Sequence, residues 1–139
     1  MAEASEKTEV RVDLDAALLR RLGVRLVILF GSAVTGDRHP LSDTDIGLVF
    51  ERGRRPARPA LVYGELLAEF KKHFPEPLDL VYLDEGSPGL RFRAVTEGRP
   101  LYESRFGDFA DYRAEAMLRY FDFRHYEDIF HASVLGLAA

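Results

Sequence analysis

The run RLVILF, residues 25–30, constrains this chain more than any other stretch. It is apolar and rich in β-branched residues, with no polar alternation. That is the pattern of a strand buried on both faces. Residues 44–50 (TDIGLVF) read as a second strand, and 78–83 (LDLVYL), set off by Pro75 and Pro77, as a third. Residues 12–22 bring Leu14, Leu18, Leu19 and Leu22 near one helical face, with Gly23 as the stop. Residues 60–74 read as a helix whose apolar members are Leu61, Leu66, Leu67 and Phe70. A short helix over 90–95 and a short strand over 99–102 follow, and residues 106–132 form one long helix or two in sequence. The stretch ERGRRPARP, residues 51–59, is a linker with glycine, prolines and four arginines.

This order predicts an α/β (α+β) fold: a short mixed sheet with helices packed on it and a long C-terminal helical segment. The first two strands are joined by a short turn and should lie side by side. With 139 residues the chain fits one domain, taken as 11–139 after a frayed N-terminus over 1–10. Net charge is -4, so bulk electrostatics favour neither nucleic acid nor an anionic membrane. The absence of cysteine rules out disulfides and thiolate chemistry. The opening MAEASEKTEV is unlike a signal peptide, and the apolar run 26–30 is far too short to span a bilayer. A cytoplasmic protein is expected.

The chemistry concentrates in GSAVTGDRHPLSDTD, residues 31–45. In an extended segment residues i and i+2 share a face, so Asp43 and Asp45 project together, about 7 Å apart. Two carboxylates facing one way repel unless a cation lies between them, and Mg²⁺ held by carboxylates and substrate phosphates is the usual answer. Asp79 stands second in LDLVYL, as Asp45 does in its own strand, and an acid among Leu78, Leu80 and Val81 is costly if merely buried. If the two strands are neighbours, Asp79 completes a three-carboxylate site able to hold two metals. Gly31-Ser32 follows the first strand directly. Glycine permits close backbone approach, and a helical turn over 32–35 would aim free N–H groups at a phosphate. These parts fit in-line transfer at a nucleotide phosphate. DxD alone is common in solvated turns, and a Gly-Ser pair alone is weaker still. The weight lies in the combination.

Gly31-Ser32, ten residues, then Asp43-Thr44-Asp45 matches the GS-x10-DxD signature, and Asp79 fits the later acid. The sequence therefore resembles the polymerase-β-like nucleotidyltransferase superfamily. It is most similar to the minimal nucleotidyltransferases (MNT) that act as antitoxins of HEPN ribonuclease toxins. The likeness runs from about Leu14 to Phe130 and includes GLRFRAVTEGRPLYE and YFDFRHYED. It implies ATP as donor and Mg²⁺, two ions, as cofactor. It implies that Gly31 and Ser32 hold the triphosphate and that Asp43, Asp45 and Asp79 ligate metal, Asp79 also helping to deprotonate the acceptor. It further implies transfer of AMP to a tyrosine of a HEPN toxin partner. Relatives often carry arginines after the Gly-Ser pair; here Ala33, Val34 and Thr35 occupy those places and Arg38 is the nearest cation. The alternatives are an antitoxin that neutralises its partner by binding alone, and transfer to a small-molecule hydroxyl, which the short chain disfavours.

The last helix carries two apolar stripes on nearly opposite sides. One holds Phe109, Tyr112, Ala116, Tyr120, Phe123 and Phe130; the other holds Ala110, Ala114, Met117, Leu118, Phe121, Ile129 and Ala132. A helix on its own domain needs one stripe. Either the second meets a partner or a further copy of the chain, or the helix breaks near Asp122. Arg119 and His125 match the R-x4-6-H spacing of HEPN nucleases, but that fold is a helical bundle and the reading is set aside. The arginines at 52, 54, 55 and 58 read as a solvated loop, so direct nucleic-acid binding is not expected.

Overall fold

The computed structural model describes residues 12–31, 44–134 and 136. In chain order these form α1 (Ala16–Arg21), β1 (Val24–Phe30), β2 (Thr44–Phe50), α2 (Pro59–Phe70), β3 (Leu78–Tyr82), α3 (Pro88–Glu97), β4 (Arg99–Glu103) and α4 (Asp108–Val134). A single 3₁₀ turn, Leu83–Glu85, follows β3. The sheet runs β3-β2-β1-β4. β1 pairs antiparallel with both β2 and β4, while β2 and β3 are parallel. The mixed sheet and the adjacency of the first two strands are thus as expected.

β1 is central, and its side chains alternate between two cores. Val27 and Leu29 face Leu19, Ile46, Leu48, Leu66 and Phe70 on the α1/α2 side. Leu26, Ile28 and Phe30 face Val49, Leu83, Ala94, Val95, Tyr112 and Ala116 on the α3/α4 side. Both faces are dry because each is roofed by helices, which is why RLVILF shows no polar alternation. Leu26, Val27 and Ile28 have no exposed surface, and each contributes about 1.5–3 kcal/mol by leaving water.

Local chemistry sets the helix ends. Asp15 caps α1, its side chain accepting from the Leu18 N–H at 3.1 Å, so the helix starts later than the apolar pattern from residue 12 suggests. Gly23 ends that turn at φ +80°, a region that favours glycine. Ser87 accepts from Leu90 N–H at 3.1 Å and Pro88 occupies the first turn, so α3 begins two residues before its expected start. On α2 the inward face is Val62, Tyr63, Leu66, Leu67 and Phe70. Leu61 is 61% exposed, because at 100° per residue it lies well off the line through Leu66 and Phe70.

α4 does not break at Asp122. It is one helix of 27 residues, about 40 Å long. Its start is anchored by Arg25, whose Nε lies 3.4 Å from buried Asp108, and by Ser104, whose hydroxyl reaches Glu51 and Asp108. Tyr112 and Ala116 pack on the core, and Tyr120 stacks on Phe92 of α3 with centroids 4.1 Å apart. Beyond that point Phe121, Phe123, Tyr126, Ile129, Phe130 and Val134 are all exposed. No helix among the described residues is long and apolar enough to cross a membrane.

Candidate active site

The register of the sheet brings two of the three expected carboxylates together. In the parallel β2–β3 pair, Asp45 is the direct partner of Asp79. Neighbouring strands lie about 4.8 Å apart, so the two side chains leave the sheet next to each other. Their neighbours in alternation fix the face. Ile46 and Leu80 point into the α1/α2 core, so Asp45 and Asp79 point to the opposite face, where α3 lies. Asp45 is half-buried and Asp79 exposed.

Gly31 belongs to the same cluster. Phe30 is the register partner of Asp45, so the residue after it sits beside that carboxylate. Gly31 has φ +82°, and a Cβ added there would fall on Asp45 Oδ2. The absence of a side chain is what lets the carboxylate lie against the backbone. Ser32, Asp43 and Arg38, with the turn expected over 32–35, lie outside the described residues. Among the described residues no three acids or histidines converge in a way that could hold a metal ion. Two side-by-side carboxylates nonetheless offer the all-oxygen donors that a hard divalent cation takes, usually one or two at a time for Mg²⁺.

The family model described as "Polymerase beta, Nucleotidyltransferase" matches residues 13–106, more than half of the chain. The chain belongs to this nucleotidyltransferase family. The match takes in Gly31 and both paired acids and stops where α4 is about to begin. None of the curated proteins matches this nucleotidyltransferase in sequence.

Solved structures extend the likeness over the last helix. A chain from a toxin–antitoxin complex with AMP-PNP aligns at TM-score 0.62 and 23% identity, covering 86% of this chain and 94% of its own. A chain from the MntA–HepT toxin–antitoxin complex aligns at TM-score 0.59 and 21% identity, covering 86% and 92%. A chain from a complex of tri-AMPylated Shewanella oneidensis HEPN toxin with MNT antitoxin aligns at 0.58 and 20%, covering 97% and 99%. These neighbours are MntA/MNT antitoxins, and at such identities they establish a shared fold.

One cation near the acid pair escaped the sequence reading. Arg93 of α3 places its guanidinium 5.9 Å from the ring centroid of Phe30, the register partner of Asp45. Its only ion pair among the described residues is Glu97, at 3.6 Å, with both side chains largely exposed. Arg91, two residues earlier, turns away and donates to the Leu83 and Gly86 carbonyls at 3.0 and 2.7 Å. The signal was the RFR triplet itself. Residues i and i+2 on a helix diverge by about 200°, so only one of the two arginines can face the site.

Proposed function

We propose that this nucleotidyltransferase uses Mg²⁺ and ATP to transfer AMP to a tyrosine hydroxyl of a HEPN ribonuclease toxin, acting in the cytoplasm as the toxin's antitoxin. The observation that carries the reading is the pairing of Asp45 with Asp79, with Gly31 packed against Asp45. The family match and the antitoxin neighbours, one from a complex with AMPylated toxin, support it.

In this reading Gly31 and Ser32 hold the triphosphate through backbone and hydroxyl donors, and Asp43, Asp45 and Asp79 hold two Mg²⁺ ions. Bound there, Mg²⁺ would neutralise charge on the transferred phosphoryl group and on the leaving group. Asp79, the exposed member, meets the incoming acceptor and takes the tyrosine proton. The tyrosine oxygen bonds to the α-phosphorus as the bridging P–O bond breaks, and pyrophosphate leaves. Arg93 meets the nucleotide from the α3 side, in place of the arginines that relatives carry after the Gly-Ser pair. The toxin docks on the exposed outer half of α4, where Phe123, Tyr126 and Phe130 share one helical face as an apolar patch suited to an interface core, with Ile129 exposed beside it.

The test combines the protein with Mg²⁺, α-labelled ATP and the HEPN protein encoded beside it. Label should appear on a toxin tyrosine and be lost with Asp45→Ala. Ile129→Asp with Phe130→Asp should abolish both label and complex. Full neutralisation of the toxin by Asp45→Ala, with no label transferred, would instead establish an antitoxin that works by covering its partner.

A further inference from the structure

The arginines read as a solvated loop are exposed, as expected, and two of them, Arg52 and Arg55, line a cavity. This cavity, of about 470 Å³, opens at the end of the sheet opposite the acid pair. It lies beside Val49 and Phe50, about 17 Å along β2 from Asp45. Five arginines line it, Arg25, Arg52, Arg55, Arg91 and Arg119, against Glu51, Asp84 and Glu115. Two of these charges are already matched from outside the cavity: Arg25 by Asp108 at 3.4 Å and Glu51 by Arg105 at 3.6 Å. Four arginines then face two carboxylates. Asp84 is further occupied in accepting from the Phe50 N–H at 2.9 Å. Among the described residues Arg52 and Arg119 have no hydrogen-bond or ion-pair partner. The cavity is therefore short of negative charge.

A second observation is independent of charge. Tyr112 lines this cavity, and its hydroxyl lies beneath the surface, buried without a hydrogen-bond partner. The residue is 8% exposed. An unpaired buried hydroxyl costs about 1–3 kcal/mol, so through Tyr112 this wall of the cavity carries polarity that packing alone does not satisfy. Burial, with the carboxylates of Asp84 and Glu115, pushes its phenol up to about 12 against the opposing pull of Arg91 and Arg25, so it stays a donor at neutral pH. Tyr112, Glu115, Ala116 and Arg119 recur at the i, i+3, i+4, i+7 spacing of one helical face, so α4 lends one face to the cavity, with Arg119 at its end.

We infer that this cavity is a second ligand site, for a phosphate-bearing small molecule of nucleotide size, its phosphate on Arg52, Arg55 and Arg119. The volume lies within the range of small-molecule sites. The cavity's size suits a small anion better than an acidic protein segment. Guanidinium groups suit phosphate because their fixed donors match its oxygens. The site needs no metal and lies away from the Asp45–Asp79 pair.

AMP and inorganic phosphate, each titrated by calorimetry into the Asp79→Asn protein in the presence of EDTA, test this. Binding of either ligand is expected, and tighter binding of AMP would show that the nucleoside contributes. Arg52→Ala with Arg119→Ala should weaken it by at least about tenfold, the worth of one charge-assisted hydrogen bond. No saturable binding at millimolar concentrations overturns the site, as does binding that these arginine changes leave intact. Loss of toxin binding in the arginine variants, with no phosphate bound by the parent, would assign the cavity to a protein segment and overturn it too.

Discussion

Asp45 and Asp79 are direct register partners across the parallel β2–β3 pair, on the face of the sheet roofed by α3. One is half-buried and packed against Gly31; the other is open to solvent. This asymmetry separates their roles. In the proposed mechanism the inner acid, lying close against Gly31, holds metal and the outer one meets the acceptor.

Asp79→Asn should therefore cut AMP transfer by about 10²–10⁴-fold, the range for losing a positioned proton acceptor. Fold stability should be unchanged or slightly higher, because one of two adjacent like charges is removed. Labelled-ATP transfer and thermal unfolding of the same sample check both halves. A variant with full activity would remove Asp79 from the site.

Gly31→Ala tests the close approach to Asp45. The added methyl would fall on Asp45 Oδ2, and φ +82° disfavours any side chain. A strained position of this kind costs about 1–3 kcal/mol. Lower stability in denaturant titration should accompany lost transfer. The glycine would be irrelevant to the site if stability fell and transfer at a folded-state temperature did not.

Arg93→Ala should raise KM for ATP about tenfold, the size of one charge-assisted hydrogen bond, with little change in kcat. Its side chain is exposed and its ion pair with Glu97 sits at the surface, so stability should hold. Steady-state kinetics with varied ATP would show it. An unchanged KM would place the guanidinium away from the bound nucleotide.

Glu69 gives the fold an acid limit. Burial pushes its carboxyl up, but the Asp15 N–H at 3.0 Å, His73 at 3.1 Å and Lys72 at 3.3 Å outweigh this and hold it below its ordinary 4.5. A carboxyl depressed in the folded state stabilises fully above its unfolded value and loses that contribution as pH falls through the lower folded value. Glu69→Gln should cost about 1–3 kcal/mol near neutrality and flatten the fall in stability below pH 4.5. Denaturant unfolding between neutral and acid pH would reveal the difference, and parallel curves for the two proteins would refute it.

The sequence by itself determined the elements and half of the chemistry. RLVILF announced a strand covered on both faces, because burial of alternate side chains is written directly into residue type. Asp15, Gly23, Ser87 and Pro88 set helix ends through contacts within a turn, so the shifts from the apolar pattern are local as well. The spacing from Gly31-Ser32 to Asp45 was legible for the same reason, and it falls within the family match over 13–106. Ser32 and Asp43 remain readings of the sequence, outside the described residues.

Tertiary structure alone decided which strands meet. Nothing in LDLVYL states that it lies parallel to TDIGLVF, yet that pairing is what sets Asp79 beside Asp45. It likewise turned Arg93 toward Phe30, gathered Arg52, Arg55 and Arg119 at one cavity, and chose which stripe of α4 is covered. Periodicity reports the face a residue presents within its own element. What that face meets is settled by packing between residues far apart in the chain, and no local pattern records it.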